Sequence, residues 1–138
     1  MRPSLWYRSA SGLLILFALG HQLGFRRTDP NWGVDSVVEV MKSVHFQVDG
    51  MSRSYWDFFS GFGFFITVLL VFVAVLSWQL GGLSKEMLQS LMLVRWTLAL
   101  SFVVIAFLNW RYFFIVPLAF SALVAVCLLV AAWRGREA

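Results

Sequence analysis

The sequence contains little cysteine and little charge. Its single cysteine, Cys127, lies in an apolar run, which excludes an internal disulfide, a CxxC redox pair and a thiolate metal cluster. Charged residues make up 13% of the chain, and the formal net charge of +4 comes from scattered Arg and Lys residues. No basic stripe is present, so we expect no nucleic-acid partner and interpret these residues as membrane-interface anchors.

Several kinds of chemical site are also missing. A small four-helix multidrug exporter needs a carboxylate in its first apolar segment, and this chain has none there. A haem pair needs two histidines within apolar segments, whereas His45 lies in a polar loop and only His21 lies in such a segment. Metal-ligand clusters, nucleophile-and-base spacings and glycine-rich phosphate loops are absent as well. The sequence therefore predicts neither a cofactor nor a metal.

Apolar residues account for 60% of the chain, and the mean hydropathy is +0.79. Soluble domains contain roughly 45–50% apolar residues. As a helix, the stretch from Ser54 to Leu80 would reach about 40 Å, enough to cross a hydrocarbon core of about 30 Å. The predicted fold class is all-α, a single integral membrane domain over residues 1–138 that forms a four-helix bundle. Its spans cover about residues 5–25, 54–80, 85–110 and 113–133.

The loop between the first and second spans contains an amphipathic pattern. Apolar residues recur at helical spacing over about residues 33–46, at Val34, Val37, Val38, Met41 and Val44. We predict a short interfacial helix here, ended by a turn at Asp49-Gly50. It could lie on the bilayer or the bundle mouth simply to bury its valines, or it could form a lid over a cavity.

The basic residues do not decide the orientation of the chain. The side with the termini carries Arg2, Arg8, Lys85, Arg134 and Arg136, and the other side carries Arg26, Arg27, Lys42, Arg53 and Arg111. Because the second set is interspersed with acids in a longer loop, we predict a multi-pass protein of the inner (plasma) membrane with both termini cytoplasmic. The balanced count also allows dual topology and an antiparallel homodimer.

One face of the third span carries an arginine. Along this face, residues recur at spacings of three and four: Met92, Arg95, Ala99, Phe102, Ala106 and Asn109. We predict Arg95 near mid-membrane, with no acidic residue at its depth. A buried guanidinium requires a partner, which could be helix carbonyls, Ser or Gln side chains, a lipid phosphate or an anionic ligand.

A second group of polar residues is predicted near the other interface. His21 of the first span, Asp57 of the second and Asn109 of the third fall at similar depth, with Arg111, Tyr55 and Tyr112 at the rim. On the second span a small, mildly polar face is formed by Asp57, Ser60, Gly61, Phe64 and Thr67. The cluster could be a hydrogen-bonded clasp that fixes helix register, or a site for proton transfer or headgroup binding.

The segments SYWDFFSGFG and GHQLG, together with the four-span layout, resemble the small uncharacterised bacterial membrane proteins grouped loosely with the DoxX-like proteins. The residues that carry this resemblance are Gly20-His21, Asp57 and the pair Gly61 and Gly63. The resemblance implies a four-helix fold and no particular activity. No catalytic residue is implied by it.

Two functional hypotheses follow. In the first, the protein is non-enzymatic and binds a lipid or another hydrophobic or anionic ligand, or serves as an accessory subunit of a larger membrane complex. Its ligand-binding residues would be Arg95, Asn109, His21, Asp57, Arg111 and Tyr112, and its partners would be membrane lipids, further copies of itself or the complex. In the second, His21 and Asp57 act as acid and base in a membrane-embedded enzyme, such as an isomerase. An ion conduit is disfavoured, because residues 68–76 are apolar.

Overall fold

A computed structural model describes residues 3–135, and this part of the chain is mostly helical. It contains six α-helices and two strands in the order α1 (Pro3–Gly24), α2 (Asp35–Ser43), β1 (His45–Val48), β2 (Met51–Ser54), α3 (Tyr55–Leu80), α4 (Lys85–Ser90), α5 (Met92–Tyr112) and α6 (Ile115–Arg134). A short 3₁₀ turn, Pro30–Trp32, precedes α2. Arg2 and Arg136, which enter the predicted charge count, lie outside the described residues.

Three of the helices, α3, α5 and α6, are long and apolar enough to cross a membrane. Helix α1 has 22 residues, which is sufficient length, but Arg8, His21 and Gln22 make it less apolar. It is not one of the three. Three of the four predicted spans are therefore confirmed as helices that are long and apolar enough to cross a membrane, and the four-helix bundle remains a prediction.

The loop helix is shorter than predicted and is followed by a hairpin. The expected helix over residues 33–46 ends at Ser43, and β1 pairs with β2 in antiparallel register with Phe46 opposite Arg53. The turn expected at Asp49-Gly50 is present and joins the strands, with φ of +50° and +79° at its two central residues. Positive φ at both positions is typical of the tight hairpin turn that Asp-Gly favours. The all-α prediction missed this hairpin.

The third predicted span is broken near its start. Ser84 caps α4 as its position suggested, accepting a hydrogen bond from the Met87 amide at 3.4 Å. Helix α4 then ends at Ser90, whose hydroxyl donates to the Met87 carbonyl at 2.8 Å, and α5 begins at Met92. Arg95 therefore lies in the first turn of α5. The prediction of one continuous helix over residues 85–110 is therefore wrong, whereas the position of Arg95 near mid-membrane stays a prediction.

The described chain divides into two compact units, residues 3–17 with 70–135, and residues 18–69. In the first unit α5 packs along α6, and the Phe17 ring of α1 stacks on Phe120 of α6 with centroids 5.3 Å apart. Its core is apolar and contains Leu14, Ala99, Phe102, Val124, Leu128 and Ala131. The second unit contains the end of α1, the loop with α2 and the hairpin, and the first part of α3.

Candidate binding site

Arg95 is buried at the ends of two helices. Its side chain is 1% exposed, and its Nη1 donates to the carbonyls of Leu88 at 2.6 Å and Gly135 at 3.1 Å. Its Nη2 donates to the Ala132 carbonyl at 3.1 Å. These carbonyls close the C-terminal ends of α4 and α6, where partial negative charge accumulates. Among the partners expected for Arg95, the structure shows helix carbonyls at Nη1 and Nη2, and the buried Nε has no hydrogen-bond partner among the described residues.

Asn109 forms a clasp between α5 and α6. Its Nδ2 donates to the Ser121 hydroxyl at 3.0 Å and to the Pro117 carbonyl at 3.2 Å. The Ser121 hydroxyl in turn donates to the Pro117 carbonyl at 2.8 Å. A buried amide used in this way fixes the register of two helices. The two rim residues of the same unit, Arg111 and Tyr112, are exposed at the end of α5, with the guanidinium 5.2 Å from the ring centre.

Asp57 caps the first turn of α3. Its Oδ2 accepts from the Ser54 amide at 2.8 Å and from the Ser54 hydroxyl at 3.0 Å. The Asp57 amide donates to the Ser54 hydroxyl at 3.3 Å, which completes a reciprocal capping box. The side chain is exposed, and both groups that donate to it belong to Ser54, the residue just before α3. A local structural role accounts for this carboxylate.

His21 contacts a different level of α3. Its Nδ1 lies 3.0 Å from the Thr67 hydroxyl, which donates toward Gln22 Oε1 and the Gly63 carbonyl, each at 3.2 Å. Thr67 follows Asp57 by ten residues, or about 15 Å along the helix axis. The structure therefore does not bring His21 and Asp57 together. The sequence predicted Thr67 on the small, mildly polar face of α3. It did not identify Gln22 as a site residue, because no pattern of spacing in α1 marked that position.

An aromatic column continues from His21 toward the loop. The Phe25 ring stacks on His21 with centroids 5.1 Å apart and meets Phe64 edge-on at 5.6 Å. The Arg26 guanidinium lies 5.2 Å from the centres of both phenyl rings. Phe25 fits here because residue 63 is a glycine, where a Cβ would overlap the Phe25 ring. We call this group the α1-end cluster, formed by His21, Gln22, Phe25, Arg26, Phe64 and Thr67.

The α1-end cluster has more hydrogen-bond donors than acceptors. Within residues 3–135, neither Arg26 nor Arg27 forms an ion pair, and the Gln22 amide nitrogen meets no acceptor. The Arg26 side chain is exposed, and those of His21 and Gln22 are half-buried. Donors without acceptors next to apolar rings are suited to an anionic head group attached to an apolar body. Across the same described range, no three His, Cys, Asp or Glu side chains are placed to hold a metal ion.

Comparison with known proteins identified no relative of this chain. No protein-family model matches the chain, and neither a curated protein nor a solved structure is similar enough to count as a match. The resemblance to the DoxX-like proteins therefore stays a prediction.

Proposed function

We propose that this chain is a small, non-enzymatic, four-span protein of the inner membrane that binds an anionic lipid, or another amphiphile with an anionic head group, at the α1-end cluster. The spans would be α1, α3, α5 and α6. The supporting observation is that Arg26 lies against Phe25 and Phe64 without a carboxylate partner among the described residues. A phosphate is the natural counterion for a guanidinium in this setting.

The depth of Arg26 supports this proposal. Phe64 follows the first residue of α3 by nine positions, or about 14 Å along the helix. A hydrocarbon core of about 30 Å occupies some 20 residues of a helix. If the last 20 residues of α3, 61–80, fill the core, Phe64 lies just inside its boundary. A cation at this boundary reaches toward phosphates, while the exposed rings of Phe62 and Phe65 offer an apolar surface for acyl chains.

The geometry favours this function over the enzymatic alternative. Acid–base chemistry with His21 and Asp57 requires both side chains to reach one substrate within hydrogen-bond distance. His21 contacts Thr67, which lies about 15 Å from Asp57 along the axis of α3. Asp57 is also engaged by Ser54 at the helix start. The headgroup-binding role originally expected for Arg95 passes in this proposal to Arg26.

The proposal is tested by native mass spectrometry of the gently extracted protein. Wild type and Arg26→Gln are each incubated with phosphatidylglycerol or with phosphatidylcholine of the same acyl chains. We expect wild type to retain phosphatidylglycerol preferentially. Because a charge-assisted hydrogen bond contributes about 1.5–3 kcal/mol, Arg26→Gln should lower that retention roughly tenfold or more.

The matched control is Arg53→Gln, which removes the same charge from an exposed side chain of β2 in the same unit. It should leave retention unchanged. Equal retention of the two lipids by wild type, or equal losses in both variants, would contradict a specific site. Retention of a protein in place of a lipid, lost in Arg26→Gln, would replace the proposal with the accessory-subunit hypothesis.

A further inference from the structure

Helix α2, together with its flanking residues Val34 and Val44, carries two apolar stripes. Val34, Val38 and Met41 form one stripe and are half-buried within their unit. The second stripe, which we call the valine stripe, is formed by Val37, Val40 and Val44, whose side chains are 57%, 57% and 53% exposed. At about 100° per residue, it lies about 90° around the helix from the first. Charged and hydroxyl side chains occupy the remaining surface: Asp35, Ser36, Glu39, Lys42 and Ser43.

Contacts within the unit hold α2 and the hairpin beside the first turns of α3. The Lys42 amine of α2 lies 4.5 Å from the centre of the Trp56 ring. The Phe46 ring of β1 stacks on Phe58 at 5.9 Å and contacts Tyr55 at 5.1 Å. Tyr55, Trp56 and Phe58 belong to the first turns of α3. The depth of α2 in a membrane would therefore follow the depth at which α3 begins.

The start of α3 is expected in the head-group layer. A helix of 26 residues is about 39 Å long and exceeds a hydrocarbon core of about 30 Å by roughly six residues. At its other end, Trp78 is a typical interfacial anchor, and the Gly81-Gly82 turn begins three residues after it. The excess therefore belongs to the first turns, and α2 lies beside them.

We infer that the valine stripe of α2 inserts into the lipid bilayer surface, at the boundary between head groups and acyl chains. This depth is where amphipathic interfacial helices bury their apolar face. Three valines offer far less surface than the roughly 800 Å² per partner of a stable protein interface, which favours lipid as the occupant. The inference rests on the membrane insertion of α3 proposed above and is independent of the head-group site at Arg26.

The test measures the depth of spin labels in vesicles of phosphatidylcholine and phosphatidylglycerol. In a Cys127→Ala background, single cysteines replace Val40 on the valine stripe, Ser36 on the polar face or Phe65 in the part of α3 expected inside the hydrocarbon core. All three side chains are exposed, so labelling leaves the packing intact. We expect the Val40→Cys and Phe65→Cys labels to collide with oxygen and to be shielded from a water-soluble nickel chelate. The Ser36→Cys label should show the opposite preference.

Each other outcome has a distinct meaning. A Val40→Cys label that meets the nickel chelate as readily as Ser36→Cys, while Phe65→Cys is shielded, overturns this inference and leaves the membrane insertion of α3 intact. Protection of Val40→Cys from both reagents overturns it in favour of a protein partner or a second copy of the chain. A Phe65→Cys label open to the chelate overturns the inference together with the proposed function.

Discussion

At the scale of single residues, two buried polar side chains, those of Arg95 and Asn109, complete the hydrogen bonding of helices. Arg95 closes the C-terminal carbonyls of α4 and α6, and Asn109 joins α5 to Ser121. In an apolar environment an unpaired carbonyl is costly, and a long side chain with several donors can satisfy carbonyls from more than one helix. These carbonyls explain how the Arg95 guanidinium can be buried without an acidic partner.

Replacing Arg95 is expected to destabilise the fold without affecting lipid binding. Arg95→Gln cannot reach all three carbonyls, and a buried acceptor left unpaired costs about 1–3 kcal/mol. The midpoint of thermal unfolding in detergent, followed by far-ultraviolet circular dichroism, should fall clearly. Retention of phosphatidylglycerol by the folded variant, measured by native mass spectrometry, should match wild type.

The matched control is Arg111→Gln, which removes an exposed arginine from the same helix and should leave the unfolding midpoint near that of wild type. An Arg95→Gln protein with an unchanged midpoint and lost lipid would support the ligand-binding role that the sequence first suggested for Arg95. It would also contradict the structural role derived from the carbonyl contacts.

At the scale of elements, two neighbouring glycines of α3 differ in their surroundings. A Cβ at Gly63 would overlap the Phe25 ring, whereas a Cβ at Gly61 would meet nothing within 4 Å. In a helix interior, Ala is favoured over Gly by about 0.8–1 kcal/mol. Gly61→Ala should therefore be neutral or stabilising, and Gly63→Ala should lose stability because Phe25 must move away from α3.

Gly63→Ala should also weaken lipid retention, since Phe25 supports both His21 and Arg26 in the α1-end cluster. The measurements are thermal unfolding and native mass spectrometry of the two alanine variants side by side. Equal behaviour of the two variants would show that Phe25 does not pack against Gly63 as described. Gly61→Ala serves as the control for the change in helix propensity.

The elements also show which patterns a single sequence can predict. Helices α3 and α6 begin and end within two residues of the predicted segments, because long apolar runs bounded by turn residues are strong signals. The hairpin was missed because its strands have four residues each and follow a helical pattern without a break. The break at Leu91 was missed because it depends on local hydrogen bonds of Ser90 and on Arg95 reaching back to Leu88.

The candidate site was predictable only in part, for a similar reason. His21 was recognised because a polar residue in an apolar helix is conspicuous, and Thr67 because it shared a face with other small residues. The prediction that His21 lies beside Asp57 was wrong, because the depth of each residue was counted from the ends of the predicted spans. The true contact level depends on Phe25 packing at Gly63, which spacing alone cannot reveal.

At the scale of the whole molecule, the position of α1 distinguishes a four-span protein from a three-span one. In the first unit, Arg8 of α1 lies 5.0 Å from the Trp78 ring, and the Ser4 carbonyl lies close to Gly81. In the second unit, His21 meets Thr67. These contacts favour α1 running antiparallel to α3, which would carry the chain across the membrane before the loop with α2.

Cysteine labelling in intact cells tests this arrangement. In the Cys127→Ala background, single cysteines replace Ser4 at the start of α1, Ser52 on the hairpin or Leu83 in the turn after α3. Each is reacted with a membrane-impermeant maleimide before and after the membrane is opened. We expect Ser4→Cys and Leu83→Cys to react from one side, and Ser52→Cys from the other, because two antiparallel spans separate them.

The predicted orientation, with both termini cytoplasmic, makes Ser52→Cys the site that reacts in sealed cells. If Ser4→Cys reacts together with Ser52→Cys, then α1 lies along the surface and the four-span proposal is wrong. The basic residues of the sequence do not favour either side, because five lie on each: Arg2, Arg8, Lys85, Arg134 and Arg136 oppose Arg26, Arg27, Lys42, Arg53 and Arg111. Partial reaction of every site from both sides, with Ser4→Cys and Leu83→Cys in equal proportion, would instead show two opposite orientations of one four-span fold.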